Sequence, residues 1–320
     1  MMHPKVTVLM PCYNAEAWLT ASVNSVLSQT FDYFEFIIVD DGSTDNSLAI
    51  LKEMQKTDRR IVIFTKANTG LADSLNLGLS HSRGEWIARI DADDICEPGR
   101  LKKQFDLVCE QPELVFVGTS LVIIDENSIS GARFTYPEGH DELLQNLILA
   151  KRFPPHSSAF YRRSSVIELG GYRRRVRRAE DWDLWLRLST KGRLACIQEP
   201  LVRIRKHSGQ VSLLGADDQI IDCRIAIISY LLVQSGKQDP IDKDLISFNC
   251  FRDWVNERLV SEDYFVFTRW KTRLRSSKNV WALIKYLVLS FGSFGFWLKL
   301  AREKMFGDGF GIRMSRLLEQ

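Results

Sequence analysis

A chain of 320 residues with 45% hydrophobic and 26% charged residues has enough apolar content to bury a core, which excludes a disordered chain. Its net charge of +3 is too small to argue for a nucleic-acid partner. Six scattered cysteines with no CxxC pair fit a reducing compartment with unpaired thiols better than a disulfide framework, and no HExxH is present.

The chain enters an apolar strand, Val6–Met10, after five residues, without a signal-peptide pattern, so a cytoplasmic catalytic part is expected. A helix beginning near Ala15 follows, with Leu19, Val23, Val26 and Leu27 at helical spacing. Strand Glu35–Val39 leads through a turn at Gly42 to a helix carrying Leu48, Leu51 and Met54. Strand Ile61–Phe64 precedes a helix with Leu71, Leu75 and Leu79, and strand Trp86–Ile90 runs into an acidic motif. Pro98 is read near the first position of the next helix. This alternation is the rhythm of an α/β doubly wound sheet. Beyond it, short strands are expected near Val115–Ile124, Ser157–Tyr161 and Leu201–Arg205, with a helix around Ala179–Leu188. Residues 216–305 read as mostly helical.

Two acidic clusters follow buried-strand patterns some fifty residues apart: Asp40-Asp41-Gly42-Ser43 and Asp91-Ala92-Asp93-Asp94. Ligands in open α/β sheets bind beyond the carboxyl ends of the strands. Carboxylates there suit Mg2+ or Mn2+ and a nucleotide diphosphate; they would also serve as turn residues and helix caps. If the second motif is extended, Asp91 and Asp93 point one way and Asp94 the other. Pro11-Cys12-Tyr13-Asn14 ends the first strand at the same edge, where Tyr13 could stack on a base. No glycine-rich phosphate loop occurs, so neither a Rossmann nor a P-loop site is supported.

Glu180-Asp181-Trp182-Asp183 sets carboxylates beside apolar rings, which suits a general base at Asp181; acidic residues are also favoured at a helix start. Arg203, Arg205, Lys206 and His207 follow a strand-like segment and could meet a diphosphate or metal, although a lone histidine is commonly structural. Five arginines between Arg173 and Arg178 read equally as a solvated loop or a seat for a phosphate-bearing acceptor. Tyr286–Leu298 is nearly uncharged and flanked by basic residues, so 280–298 reads as a helix in a membrane interface or one packed on the catalytic domain.

In order, these motifs, together with Asn68-Thr69-Gly70-Leu71, His156-Ser157-Ser158, Gly170-Gly171-Tyr172 and Arg205-Lys206-His207, resemble a family 2 inverting glycosyltransferase of the GT-A fold, bacterial surface-polysaccharide type. The resemblance covers about residues 4–212. It implies a GT-A-like doubly wound mixed sheet flanked by helices in residues 1–212, with a nucleotide-binding half (1–125) and an acceptor-binding half (126–212). A mostly helical C-terminal region occupies residues 213–320. By position, Pro11, Tyr13, Asp40, Asp41, Asp91, Asp94 and Arg205 would bind the donor, Asp93 and His207 the metal, and Asp181 would be the base. The implied reaction moves a single sugar from a nucleotide-sugar, a UDP-sugar by default, to a glycan or lipid-linked acceptor. A processive Gln-x-x-Arg-Trp motif is lacking. Two other readings are a sugar-nucleotide pyrophosphorylase, which would need a glycine-rich basic loop after the first strand, and a non-catalytic nucleotide-sugar-binding module.

Overall fold

The computed structural model describes residues 3–207 and 216–260. Its chain falls into two compact units, Met1–Gln219 and Ile220–Gln320.

In the first unit the elements run β1 (Val6–Cys12), α1 (Leu19–Leu27), β2 (Phe34–Asp40), α2 (Ser47–Thr57), β3 (Ile61–Thr65), α3 (Leu71–His81) and β4 (Trp86–Arg89). They continue with β5 (Ile95–Cys96), α4 (Arg100–Glu110), β6 (Leu114–Ile124), β7 (Ser130–Phe134) and α5 (His140–Ile148). After a 3-10 turn at His156–Ser158 come β8 (Phe160–Arg162), α6 (Arg163–Glu168), α7 (Glu180–Leu188) and β9 (Arg193–Arg205). Among the described residues the strands form one mixed sheet in the order β3-β2-β1-β4-β8-β6-β9-β5, with β7 paired to β6. The first four strands are parallel. β8 is antiparallel to β4 and β6, and β6 is parallel to β9.

The strand sequences explain the layering. Every residue of β2 and β4 is buried, as expected for strands covered by helices on both faces. Val8, Met10, Phe36, Ile38 and Ala88 join Leu19, Val23 and Val26 of α1 and Leu101 of α4 in one core. On the other face, a Cβ added to Gly78 of α3 would stand 2.2 Å from Leu9, so glycine lets that helix lie close on β1. The chain steps from β1 to β2 and β3 on one side, then returns to lay β4 on the other. That reversal sets the carboxyl ends of β1 and β4 side by side, where open α/β sheets form their crevice.

Several expectations are corrected. α1 starts at Leu19 rather than near Ala15, because Ala15–Trp18 form a turn in which the Ala15 carbonyl accepts from the Trp18 and Leu19 amides. The helix expected at Pro98 begins at Arg100, behind Gly99. Ser157 and Ser158 are not extended: Pro154 and Pro155 offer no amide donors, and the chain closes into the 3-10 turn before β8. The strand expected at Leu201–Arg205 is the end of a 13-residue β9, whose first half was not anticipated.

In the second unit, α8 (Ala216–Gln234, which starts in the first unit) is followed by a 3-10 turn at Pro240–Asp242 and α9 (Leu245–Val260). The buried Asp222 carboxylate accepts from Arg252 at 2.8 Å, and Asp239 caps the 3-10 turn through the Ile241 amide at 2.9 Å. No helix among the described residues is long and apolar enough to cross a membrane. The apolar stretch 280–298 lies outside the described residues.

Candidate active site

At the carboxyl end of β4 the sequence Asp91-Ala92-Asp93-Asp94 makes a turn, with the Asp94 amide donating to the Asp91 carbonyl at 3.3 Å. This corrects the extended reading. Instead of pointing apart, Asp91, Asp93 and Asp94 each present a carboxylate oxygen within 4.8 Å of the others. Hard oxygen donors grouped this closely fit Mg2+ or Mn2+. Asp94 is buried at the base of the group, whereas the Asp91 and Asp93 side chains keep 39% and 25% exposure and form its open side.

Each carboxylate is handled differently. Asp91 is paired with Arg89 through one oxygen and accepts from Ser157 Oγ at 2.8 Å through the other. Asp94 is bonded to the same Ser157 hydroxyl and accepts from the Arg205 amide at 2.9 Å. The Asp93 carboxylate bonds His207 Nε2 at 2.9 Å. Burial raises the Asp94 carboxyl well above its usual value, with Asp93 and Asp91 adding to the effect. Burial and then Asp91 raise Asp93, opposed by the His207 hydrogen bond. Uncompensated negative charge of this kind favours a cation.

β9 delivers the other side of the turn. Arg205 is buried, and its guanidinium donates to the carbonyls of Asp93, Asp125 and Glu126 and to Ser128 Oγ. Its observed contacts thus fasten the Asp93 turn to the β6–β7 connection. His207 stacks on Trp18 with ring centroids 4.1 Å apart, which aims Nε2 at Asp93.

The carboxyl ends of β1 and β2 form the neighbouring cleft. Tyr13 is 50% exposed, and Pro11 is half-buried just before it. Asn14 ties the two loops together: its amide donates to Ser43 Oγ at 3.1 Å, and its side chain accepts from the Thr44 amide at 2.8 Å. Asp41 accepts from the Thr69 and Gly70 amides, each at 2.9 Å, and pairs with Lys66. Asp40 is buried, and its oxygens lie 3.4 Å from the Ser43 amide. Gly42 permits this closure. Its φ of +72° is left-handed, and a Cβ there would approach the Asn68 amide nitrogen to 2.9 Å. Cys12, beneath the cleft, is inert: burial and then Asp40 push its thiol up to about 12.

Asp181 enters from α7. Asn76 of α3 bonds both the Tyr172 carbonyl (2.8 Å) and amide (2.9 Å), fixing the loop ahead of α7. The Asp181 carboxylate caps the Trp182 amide at 2.7 Å, and Trp182 Nε1 donates to the Leu147 carbonyl of α5 at 3.0 Å. Burial raises the Asp181 carboxyl, with backbone hydrogen bonding and Arg89 opposing and Asp91 reinforcing. Its neighbour Glu180 is buried and raised to about 8, by burial and then by Asp181. The fields of Arg89 and Asp91 reach both residues, so the acidic turn and the α7 start share one electrostatic neighbourhood. Asp183 is apart from it, held by Arg187 at 2.6 Å and Arg173 at 3.3 Å.

Residue-by-residue reading passed over Arg89 and Lys66 and gave no site role to Ser157 and Glu180, although both lie inside motifs it singles out. Arg89 carried one usable signal: a lone charge in a fully buried strand, two residues before a carboxylate.

Fold and site together define a class: an α/β protein with grouped carboxylates at the switch point of its parallel strands and a further acidic helix facing them. The family model of Glycosyl transferase family 2 matches residues 7–170. The putative glycosyltransferase EpsE of Bacillus subtilis is 41% identical over 213 residues, 64% of this chain and 74% of that protein. The putative teichuronic acid biosynthesis glycosyltransferase TuaG of the same organism is 36% identical over 151 residues, 46% of this chain and 59% of its own. Among solved structures, S. aureus TarS 1-349 in complex with UDP-GlcNAc superposes with a TM-score of 0.60 at 20% identity, covering 79% of this chain and 70% of that one. The mannosyltransferase PcManGT of Pyrobaculum calidifontis, in complex with GDP-Man and Mn2+, gives 0.54 at 17% identity, covering 89% and 79%. At such identities the structures speak for the fold. The chain belongs to glycosyl transferase family 2, and it is a glycosyltransferase with the GT-A fold.

Proposed function

We propose that this enzyme transfers a single sugar, with inversion, from a nucleotide-diphosphate sugar to a hydroxyl of a glycan or lipid-linked acceptor. The observation that carries the reading is the grouping of Asp91, Asp93 and Asp94 within 4.8 Å at the switch point, in electrostatic reach of Asp181. A UDP-sugar is the favoured donor, in line with the UDP-GlcNAc bound by TarS. An acceptor of surface polysaccharide fits the name of TuaG.

Pro11, Tyr13 and Asp41 hold the nucleoside, with Asp40 beside it and the exposed Tyr13 ring free to stack on a base. Residues 1–125 thus serve the donor and 126–212 the acceptor. Asp91 and Asp94 border the diphosphate and sugar. A bound Mg2+ or Mn2+, held by Asp93 and His207, would neutralise charge on the departing diphosphate; PcManGT carries Mn2+. Arg205 borders the donor and holds the turn through the Asp93 carbonyl. Asp181 accepts the proton of the acceptor hydroxyl as that oxygen attacks the anomeric carbon and the bond to the diphosphate breaks. Its raised pKa brings it closer to the range of an effective base. The enzyme works at the cytoplasmic face of the membrane, with 280–298 as its membrane contact.

The test is nucleotide release from UDP-, dTDP- and GDP-sugars with Mn2+, with the anomeric configuration of the product read by NMR. Release from at least one donor, with inverted product, is expected. No release from any donor by folded protein favours the non-catalytic module.

A further inference from the structure

We propose that Arg89 is a positioning residue for the acidic turn: its guanidinium fixes Asp91 and Ser157, and through Ser157 also Asp94.

Arg89 closes β4, between β1 and β8, and is 2% exposed. A charge this deep must be compensated. Its main chain is held on both sides: its amide donates to the Ala159 carbonyl at 2.9 Å, and its carbonyl accepts from Arg100 Nη2 at 2.8 Å. The side chain therefore has a fixed root. Nη2 pairs with Asp91 and Nη1 donates to Ser157 Oγ at 2.9 Å, while Nε has no partner among the described residues. Ser157 bonds Asp91 and Asp94 in turn, so the guanidinium and one hydroxyl hold two of the three grouped carboxylates.

The same 3-10 turn reaches α7. His156, next to Ser157, bonds the Tyr172 hydroxyl at 2.9 Å and lies edge-on to Trp185 with centroids 5.7 Å apart. His156 is kept neutral by burial and then by Arg89. A lysine could supply the charge but not the planar fork that spans Asp91 and Ser157.

Mn2+ affinity of the full chain, read by electron paramagnetic resonance, tests this. It should fall about tenfold in Arg89→Lys, which keeps the charge and loses the fork, with the melting temperature showing the variant folded. Unchanged Mn2+ affinity in folded Arg89→Lys overturns the proposal; should that variant not fold, Ser157→Ala, which removes the hydroxyl that the fork holds, carries the same test with the same two outcomes.

Discussion

Two carboxylate clusters at the same sheet edge are treated in opposite ways. Beside β2, Asp41 is saturated: two backbone amides and Lys66 take up its oxygens. Beside β4, three carboxylates crowd together with Arg89 and Ser157 bracing two of them, and Asp181 lies in the same electrostatic neighbourhood. Saturation makes the first cluster a rigid wall for a cleft. Under-compensation makes the second a place where a cation would gain energy from the protein. Similar residue types thus divide into framework and chemistry by what neutralises them.

The largest expected effect lies at the under-compensated end. Asp181→Asn keeps the side-chain shape and removes the proton acceptor, so transfer should fall by roughly 100- to 10,000-fold while UDP affinity changes little. Full transfer in that variant would show that another group is the base.

A second expectation concerns pH. Glu180 is lifted from 4.5 to about 8, so the folded state binds this proton more tightly than the unfolded chain. Its contribution to stability is whole below about pH 4.5 and is lost as the pH rises through about 8. The melting temperature of metal-free protein should fall across that window, and Glu180→Gln, neutral throughout, should flatten the fall. Equal slopes in scanning calorimetry of the two proteins would contradict the assignment.

The smallest effect belongs to the saturated cluster. Gly42→Ala forces a left-handed φ on a side chain and drives a Cβ against Asn68, costing about 1–2 kcal/mol. It should loosen the 66–70 loop around Asp41 and weaken nucleotide affinity modestly, with metal affinity retained. Loss of Mn2+ binding in that variant would mean the two clusters are not separable.

Much of this was legible in the sequence. Phe36–Val39 is an uninterrupted apolar run and Val6–Met10 is broken only by Thr7, and burial on both faces is what such runs call for. The acidic motifs were placed correctly at strand ends. The turn at Asp91–Asp94 was not legible, since no glycine or proline marks it and alternating side chains suggest extension. The first half of β9 was hidden by Gln198, Glu199 and Pro200, where register shifts break its pairing with β6. Arg89 and Ser157 were hidden for another reason: they are 68 residues apart, and only the pairing of β4 with β8 brings them together. Arg205 is read from sequence as a donor ligand; its bonds to the Asp93 and Asp125 carbonyls join neighbours that a sequence does not reveal.

If the Asp93 side of the site holds a metal, nucleotide binding depends on that metal. Calorimetric titration of UDP, with and without Mn2+, into wild type and Asp93→Ala decides this. Mn2+ should strengthen UDP binding to wild type at least tenfold, about 1.4 kcal/mol, and Asp93→Ala should lose this gain while keeping the metal-free affinity. An Mn2+ gain of equal size in the variant, or none in folded wild type, would rule out Asp93 as the metal's holder.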